Sequence, residues 1–123
     1  MGLADVIDWP PVFPVSALRL ASSQRDGWVV VTVRGPVGAA DIPLFDGMID
    51  AGLARGGRRM IVDLRAATEV DILALAVLAK AKAKAGPKHL RLVVPRYGST
   101  VFTDLEPQRW QLYASVDEAV GWP

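Results

Sequence analysis

Three short aliphatic runs separated by stretches of helical spacing constrain this chain more than anything else in it. Trp28–Val33 reads Trp-Val-Val-Val-Thr-Val, Arg58–Leu64 rises through Met60-Ile61-Val62, and Leu90–Val94 reads Leu-Arg-Leu-Val-Val. β-Branched side chains suit a pleated, buried surface, so each run predicts a central strand. Between the first two, Leu44, Phe45, Met48, Ile49, Gly52 and Leu53 follow a helical repeat. Asp41 is the expected cap of that helix, Pro43 falls in its first turn, and Gly56-Gly57 stops it. A second helix is expected over Ile72–Ala85, capped by Asp71 and closed by Gly86-Pro87. Strands alternating with helices predict an α/β domain with helices laid on a sheet.

The flanks fit the same plan. Ala17–Ala21 is an expected edge strand, followed by a turn at Arg25-Asp26-Gly27, where glycine tolerates positive φ. Gly98–Leu105 predicts a short helix and Trp110–Tyr113 a last short strand. Ser115 and Glu118 have capping-box spacing ahead of a terminal helix over Val116–Val120. Residues 1–16 carry Pro10, Pro11 and Pro14 beside Trp9 and Phe13, which predicts an extended arm. Residues 17–123 then form one domain, and 123 residues leave no room for a second.

Composition excludes several classes. With charged residues at 22% and a formal net charge of +1, there is no electrostatic case for nucleic acid or for an anionic membrane. The chain has no cysteine, hence no thiolate metal site or cysteine nucleophile. No run approaches the roughly 18 apolar residues of a spanning helix. Met1–Pro14 lacks a basic start and carries Asp5 and Asp8, unlike a secretory signal. A soluble, cytoplasmic domain is the expectation.

The residues offer little catalytic chemistry. His89 is the lone histidine and precedes a strand, which suggests a turn role. The carboxylates are scattered, and Asp46 and Asp50 merely share a helix face. Lys80, Lys82 and Lys84 spread around their helix and read as a solvated face. No metalloprotease, EF-hand, P-loop or nucleophile-elbow pattern appears. No catalytic residue, metal site or cofactor is expected.

Three blocks together resemble one family. Val29–Val37 with Gly35-Pro36-Val37-Gly38 is similar to the strand and Gly-Glu-Leu-Asp turn that open a STAS core. Arg58–Leu64 resembles that family's Val-Leu-Asp-Leu strand. Thr68-Glu69-Val70-Asp71-Ile72-Leu73-Ala74-Leu75 falls where the family has Thr-Phe-Ile-Asp-Ser-Ser-Gly-Leu, and the likeness extends over roughly residues 17–121. The resemblance implies a mixed four- to five-stranded sheet flanked by about four helices. It also implies the role of an anti-sigma factor antagonist, which binds an anti-sigma factor that is a GHKL-type kinase. In the family, that kinase phosphorylates a serine at the start of the second core helix, and the added charge breaks the complex.

The departures from the family pattern fall on the switch. The two family serines correspond to Ile72 and Leu73, the phosphorylated one to Leu73, which has no hydroxyl. The family glycine corresponds to Ala74, and the aspartate of the opening turn to Gly38. Asp71 and Leu75 remain. At 100° per residue, Ile72, Leu75, Leu78, Ala79 and Ala83 should pack on the sheet, leaving Leu73, Val77, Lys80 and Lys84 outward. Leu73 and Val77, one turn apart at the family's partner-binding position, suggest an interface. Burial of these two side chains under the arm, through Trp9 or Phe13, and incidental exposure are the alternatives.

The expected partner-binding set is therefore Gly38, Asp71, Ile72, Leu73, Ala74 and Val77. The first functional reading is a non-catalytic binding module for an anti-sigma factor or related GHKL-type kinase, without serine control. Thr68 lies just before the motif, Ser99, Thr100 and Thr103 are other hydroxyls near the later short helix, and nothing selects among them. A homodimer, an accessory STAS subunit of a transport ATPase and a small-ligand sensor are the alternatives.

Overall fold

The computed structural model describes residues 17–55, 59–86, 89–95 and 110–121. Strand β1 (Arg19–Arg25) turns through Asp26-Gly27 into β2 (Trp28–Val37), with Arg25 opposite Trp28. Both turn residues have positive φ, 50° at Asp26 and 84° at Gly27. That is the backbone a two-residue hairpin needs to match the right-handed twist of its strands. A 3-10 turn (Ala39–Asp41) leads into α1 (Ile42–Arg55), and then come β3 (Met60–Val70), α2 (Ile72–Ala85) and β4 (Leu90–Val93). Strand β5 (Gln111–Tyr113) and α3 (Val116–Gly121) follow.

The sheet order is β1-β2-β3-β4-β5, with β1 antiparallel to β2 and every other pair parallel. The expected mixed α/β sheet is thus present with five strands. Three α-helices and the 3-10 turn flank it among the described residues. The arm over residues 1–16 and the short helix expected at Gly98–Leu105 lie outside those residues, as do Gly56, Gly57 and Pro87.

Strand alternation divides the core in two. One face carries Val29, Val31, Val33, Met60, Val62, Leu64, Leu90 and Leu92 under α1 and α2. The other carries Trp28, Val30, Ile61 and Val93 under Ala119 of α3. On that second face the buried Arg91 guanidinium lies 4.4 Å from the Trp28 ring centroid and 5.5 Å from that of Tyr113. It also donates to the Ala119 carbonyl. The aromatic faces offset the cost of burying its charge, and the bond fixes α3 on the sheet. Ser115 opens α3 as expected, accepting from the Glu118 N–H at 3.1 Å.

Helices α1 and α2 run side by side in the same direction. Lys80 reaches Asp46 at 2.9 Å and Lys84 reaches Asp50 at 3.1 Å, two rungs one helical turn apart. Lys82 stands 4.9 Å from the Trp110 ring centroid. The lysines expected as a solvated face therefore tie α2 to its neighbours, because its outward edge borders α1 on one side and Trp110 on the other. The hydrogen bond to Asp46 is the main cause raising the Lys80 pKa.

Strand β3 is longer than the sequence suggests, running six residues past Leu64 beside β2. Its register slips twice, between Thr32 and Arg34 and between Gly35 and Pro36, so β3 carries one extra residue at each point. At the first bulge the Arg65 N–H bonds to the Asp63 carboxylate at 3.1 Å instead of to the ladder. The Arg65 side chain returns to the same carboxylate at 3.0 and 2.8 Å, which raises its own pKa. Asp63 is buried for this reason: it satisfies the donor the bulge orphans. The second slip leaves Thr68 unmatched opposite Pro36, which has no N–H to give.

Candidate functional site

Two helices begin side by side at one end of the sheet. Val37 and Val70 are register partners on parallel strands, so the next residues, Gly38 and Asp71, stand next to each other. The Asp71 N–H donates to the Val37 carbonyl at 2.8 Å, which joins the two strand ends. Asp71 has extended backbone, and its carboxylate accepts from the Leu73 N–H at 2.8 Å. It caps α2 as the sequence predicts.

The start of the other helix differs from expectation. Asp41 is not its cap. Gly38 occupies that position, because the 3-10 turn begins the helical path one turn earlier. Asp41 lies three residues inside and reaches back to the Gly38 N–H at 2.9 Å. The Asp41 N–H in turn donates to the Gly38 carbonyl at 3.0 Å.

Three large apolar side chains are exposed at these helix starts: Ile72 at 71%, Leu73 at 52% and Leu44 at 58%. They are the large hydrophobic residues left exposed among the described residues. The sequence reading grouped Leu44 with the apolar repeat of α1, and its exposure corrects that grouping. Leu44 and Phe45 are consecutive, and two residues 100° apart cannot both face the sheet squarely. Phe45 is the one fully buried.

The helix face read from the sequence needs correction. Ile72 was expected against the sheet and is exposed, whereas Val77 was expected outward and is 7% exposed. The buried stripe of α2 is Ala74, Val77, Leu78, Ala81 and Ala85. Ala74 and Val77 are thus core residues. Of the six expected contact residues, Gly38, Asp71, Ile72 and Leu73 present themselves at the surface.

The remaining features lie apart from this end or are structural. Thr68 is exposed on its bulge, three residues before the Asp71 cap. Ser99, Thr100 and Thr103 lie outside the described residues. His89 Nδ1 sits 3.0 Å from the Ala85 carbonyl, at the turn that closes α2. An open cleft of about 400 Å³, lined by Asp50, Leu53, Ala54 and Lys84, lies at the opposite ends of α1 and α2. No group of three or more metal-ligating side chains clusters among the described residues, and no described helix is long and apolar enough to cross a membrane.

The STAS domain family model matches residues 19–118. The chain belongs to the STAS family. An anti-sigma factor antagonist from Mycobacterium paratuberculosis is similar to it in structure, with a TM-score of 0.73 and 25% identity. That match covers 85% of this chain and 92% of the other. The anti-sigma factor antagonist SpoIIAA in its unphosphorylated form shares the fold, with a TM-score of 0.62 and 14% identity over 85% of this chain and 94% of its own. No curated protein matches the chain in sequence. The STAS domain here is thus of the anti-sigma factor antagonist type in fold.

Proposed function

We propose that this STAS domain is a non-catalytic regulatory module that binds an anti-sigma factor of the GHKL-kinase type in the cytoplasm, through the starts of α1 and α2. The observation that carries the reading is the pair Ile72 and Leu73, apolar and more than half exposed at a helix start that Asp71 caps. Full burial of such a side chain contributes about 1.5–3 kcal/mol. Scaled by the exposures of 71% and 52%, covering both contributes about 2–4 kcal/mol before association costs. That is enough to move an affinity by one to three orders of magnitude.

The same residues account for a contact that serine phosphorylation does not control. Leu73 offers no hydroxyl, and Gly38 offers no carboxylate beside it. The module is therefore constitutively competent at this surface. Affinity capture from native lysate, comparing the intact chain with Leu73→Asp, tests the reading. Recovery of a GHKL-type kinase by the intact chain alone is expected, followed by direct binding of that purified kinase. Identical capture by both proteins would refute the assignment of the surface. A dimer in light scattering that dissociates on Leu73→Asp would assign it to self-association instead. Kinase-dependent phosphate on Thr68, Ser99, Thr100 or Thr103 that abolishes binding would overturn constitutive competence.

A further inference from the structure

We infer that the open edge of β1 takes up an extended acidic segment of a partner protein, as a sixth strand beside the five of the sheet. This surface lies apart from the helix starts and does not depend on what they bind. β1 heads the sheet order, so among the described residues its backbone is paired on one side only. Such an edge is a template for another strand, and folded proteins blunt it with short strands, prolines, charges or bulges. At the opposite edge β5 has three residues. β1 has seven, pairs with β2 without a slip, and carries no proline and no charge between Arg19 and Arg25. The turn through Asp26-Gly27 is closed by the pair Arg25 and Trp28. Counting back from it, Leu20, Ser22 and Gln24 are the residues whose N–H and C=O groups face the open edge.

Charge selects the occupant. Arg19, Ala21, Ser23 and Arg25 stand opposite Arg34, Thr32, Val30 and Trp28, on the sheet face that α3 covers only over Trp28 and Val30. Beyond α3 the row Arg19, Arg34 and Ala66 holds two exposed arginines and no carboxylate. In the row below, Asp63 is already engaged by Arg65. Like charges directly opposite each other destabilise a sheet, and a carboxylate on a strand added beside Arg19 relieves this row. At the other end Arg25 is ion-paired with Asp117, yet its side chain stays half exposed. A second copy is a poor occupant. Laid antiparallel over all seven residues, β1 on β1 places Arg19 opposite Arg25 at both ends.

The helix side of the sheet sets the alternate positions. Leu20 is half-buried at the margin of the core under α1, and Ser22 and Gln24 follow it on the same face. Residues added opposite these three extend that core, so they are apolar. The segment that fits is seven residues and about 20 Å long, acidic at both ends and apolar at its second, fourth and sixth positions.

The probe is a fluorescein-labelled peptide, Glu-Val-Thr-Val-Thr-Val-Glu, whose palindromic pattern suits either strand direction. Its fluorescence anisotropy should rise and saturate with the full-length chain. Binding should weaken about tenfold with Arg34→Glu, and about as much when the peptide's glutamates are replaced by lysines. The lysine-ended peptide should regain affinity for a chain carrying Arg19→Glu and Arg34→Glu. Ser22→Pro removes an edge N–H where an edge strand tolerates proline, so it should abolish binding and leave thermal unfolding in place. In the 15N-labelled chain, the peptide should slow hydrogen exchange at Leu20, Ser22 and Gln24. Equal affinity for the two peptides, or protection centred on Ile72 and Leu73, would overturn the inference. A dimer of the free chain that Ser22→Pro dissociates would also overturn it and make a second copy the occupant. Leu73→Asp should leave peptide affinity unchanged, which separates this edge from the surface at the helix starts, and loss of affinity there would count against the edge.

Discussion

Helix α1 contains two glycines in unlike surroundings, and the same substitution at each should have opposite consequences. Gly47 is exposed, and a Cβ there meets nothing within 4 Å. Replacing it with alanine removes unfolded-chain entropy and should stabilise by about 0.8–1 kcal/mol. Gly52 faces the sheet, where a Cβ would stand 2.6 Å from Met60 Cε, 3.4 Å from Val29 Cγ1 and 3.5 Å from Val31 Cγ2. The propensity gain is the same, but overpacking costs about 1–3 kcal/mol. Met60 is adaptable, yet it is fully buried between the strands and the helix and has no open side to move into. Gly52→Ala should therefore range from neutral to about 2 kcal/mol destabilising. At about 4 °C per kcal/mol, Gly47→Ala gains about 3–4 °C, while Gly52→Ala loses up to about 8 °C. Urea unfolding followed by far-UV circular dichroism, with thermal melts alongside, separates the two. An unchanged m-value confirms that stability has changed without a change in the surface exposed on unfolding. Equal stabilisation by both substitutions would refute the argument that α1 rests on the sheet through the absent side chain at Gly52. Gly52→Val must then be worse than Gly52→Ala, since it adds volume to the same contact.

Other consequences can be checked on purified protein. Leu73→Asp should leave stability within about 0.5 kcal/mol, because the site is exposed and a helix N-terminus favours an anion. Val77→Asp should instead cost more than about 3 kcal/mol or abolish folding, and a reversed order in urea titrations would restore the helix face first read from the sequence. Asp71→Ala should cost about 1 kcal/mol through loss of the bond to the Leu73 N–H, with Asp71→Ser recovering most of it. The Lys80–Asp46 coupling should follow lysine ionisation. Because the folded pKa of Lys80 is raised above 10.5, the contribution is fully present below that value and is lost as pH rises through the folded pKa. A double-mutant cycle that keeps the same coupling above the raised value would contradict this.

Much of the fold was legible because local chemistry and tertiary structure agree. Asp26-Gly27 reads as a turn and forms one, and Asp71 and Ser115 read as caps and bond as caps. The helix face was misread because α2 is rich in alanine. Periodicity weighs large side chains, so Ile72 and Leu75 drew the inward face toward themselves. The stripe that meets the sheet is mostly alanine, and Ile72 and Leu73 sit in the first turn, where they are left uncovered. The second half of β3 was missed because Arg-Ala-Ala-Thr-Glu looks like a connection. It is a strand by virtue of its pairing with β2, which no local signal records. Gly38 and Asp71 were both named from sequence, but their adjacency depends on a register that only the sheet supplies.

The two bulges in β3 carry a consequence for chain length. One extra residue alone would reverse which side chains of the strand face the helices, putting Val70 out of phase with Val37. A second restores the phase, so Val70 meets Val37 and Asp71 arrives beside Gly38 with its carboxylate aimed at its own helix. The insertions at Arg65 and Thr68 therefore work as a matched pair, like two half-turns of a screw. Deleting Thr68 alone should swing the Asp71 carboxylate to the opposite side of the sheet and uncap α2. Deleting Arg65 and Thr68 together should preserve the parity of the strand and the aim of the cap.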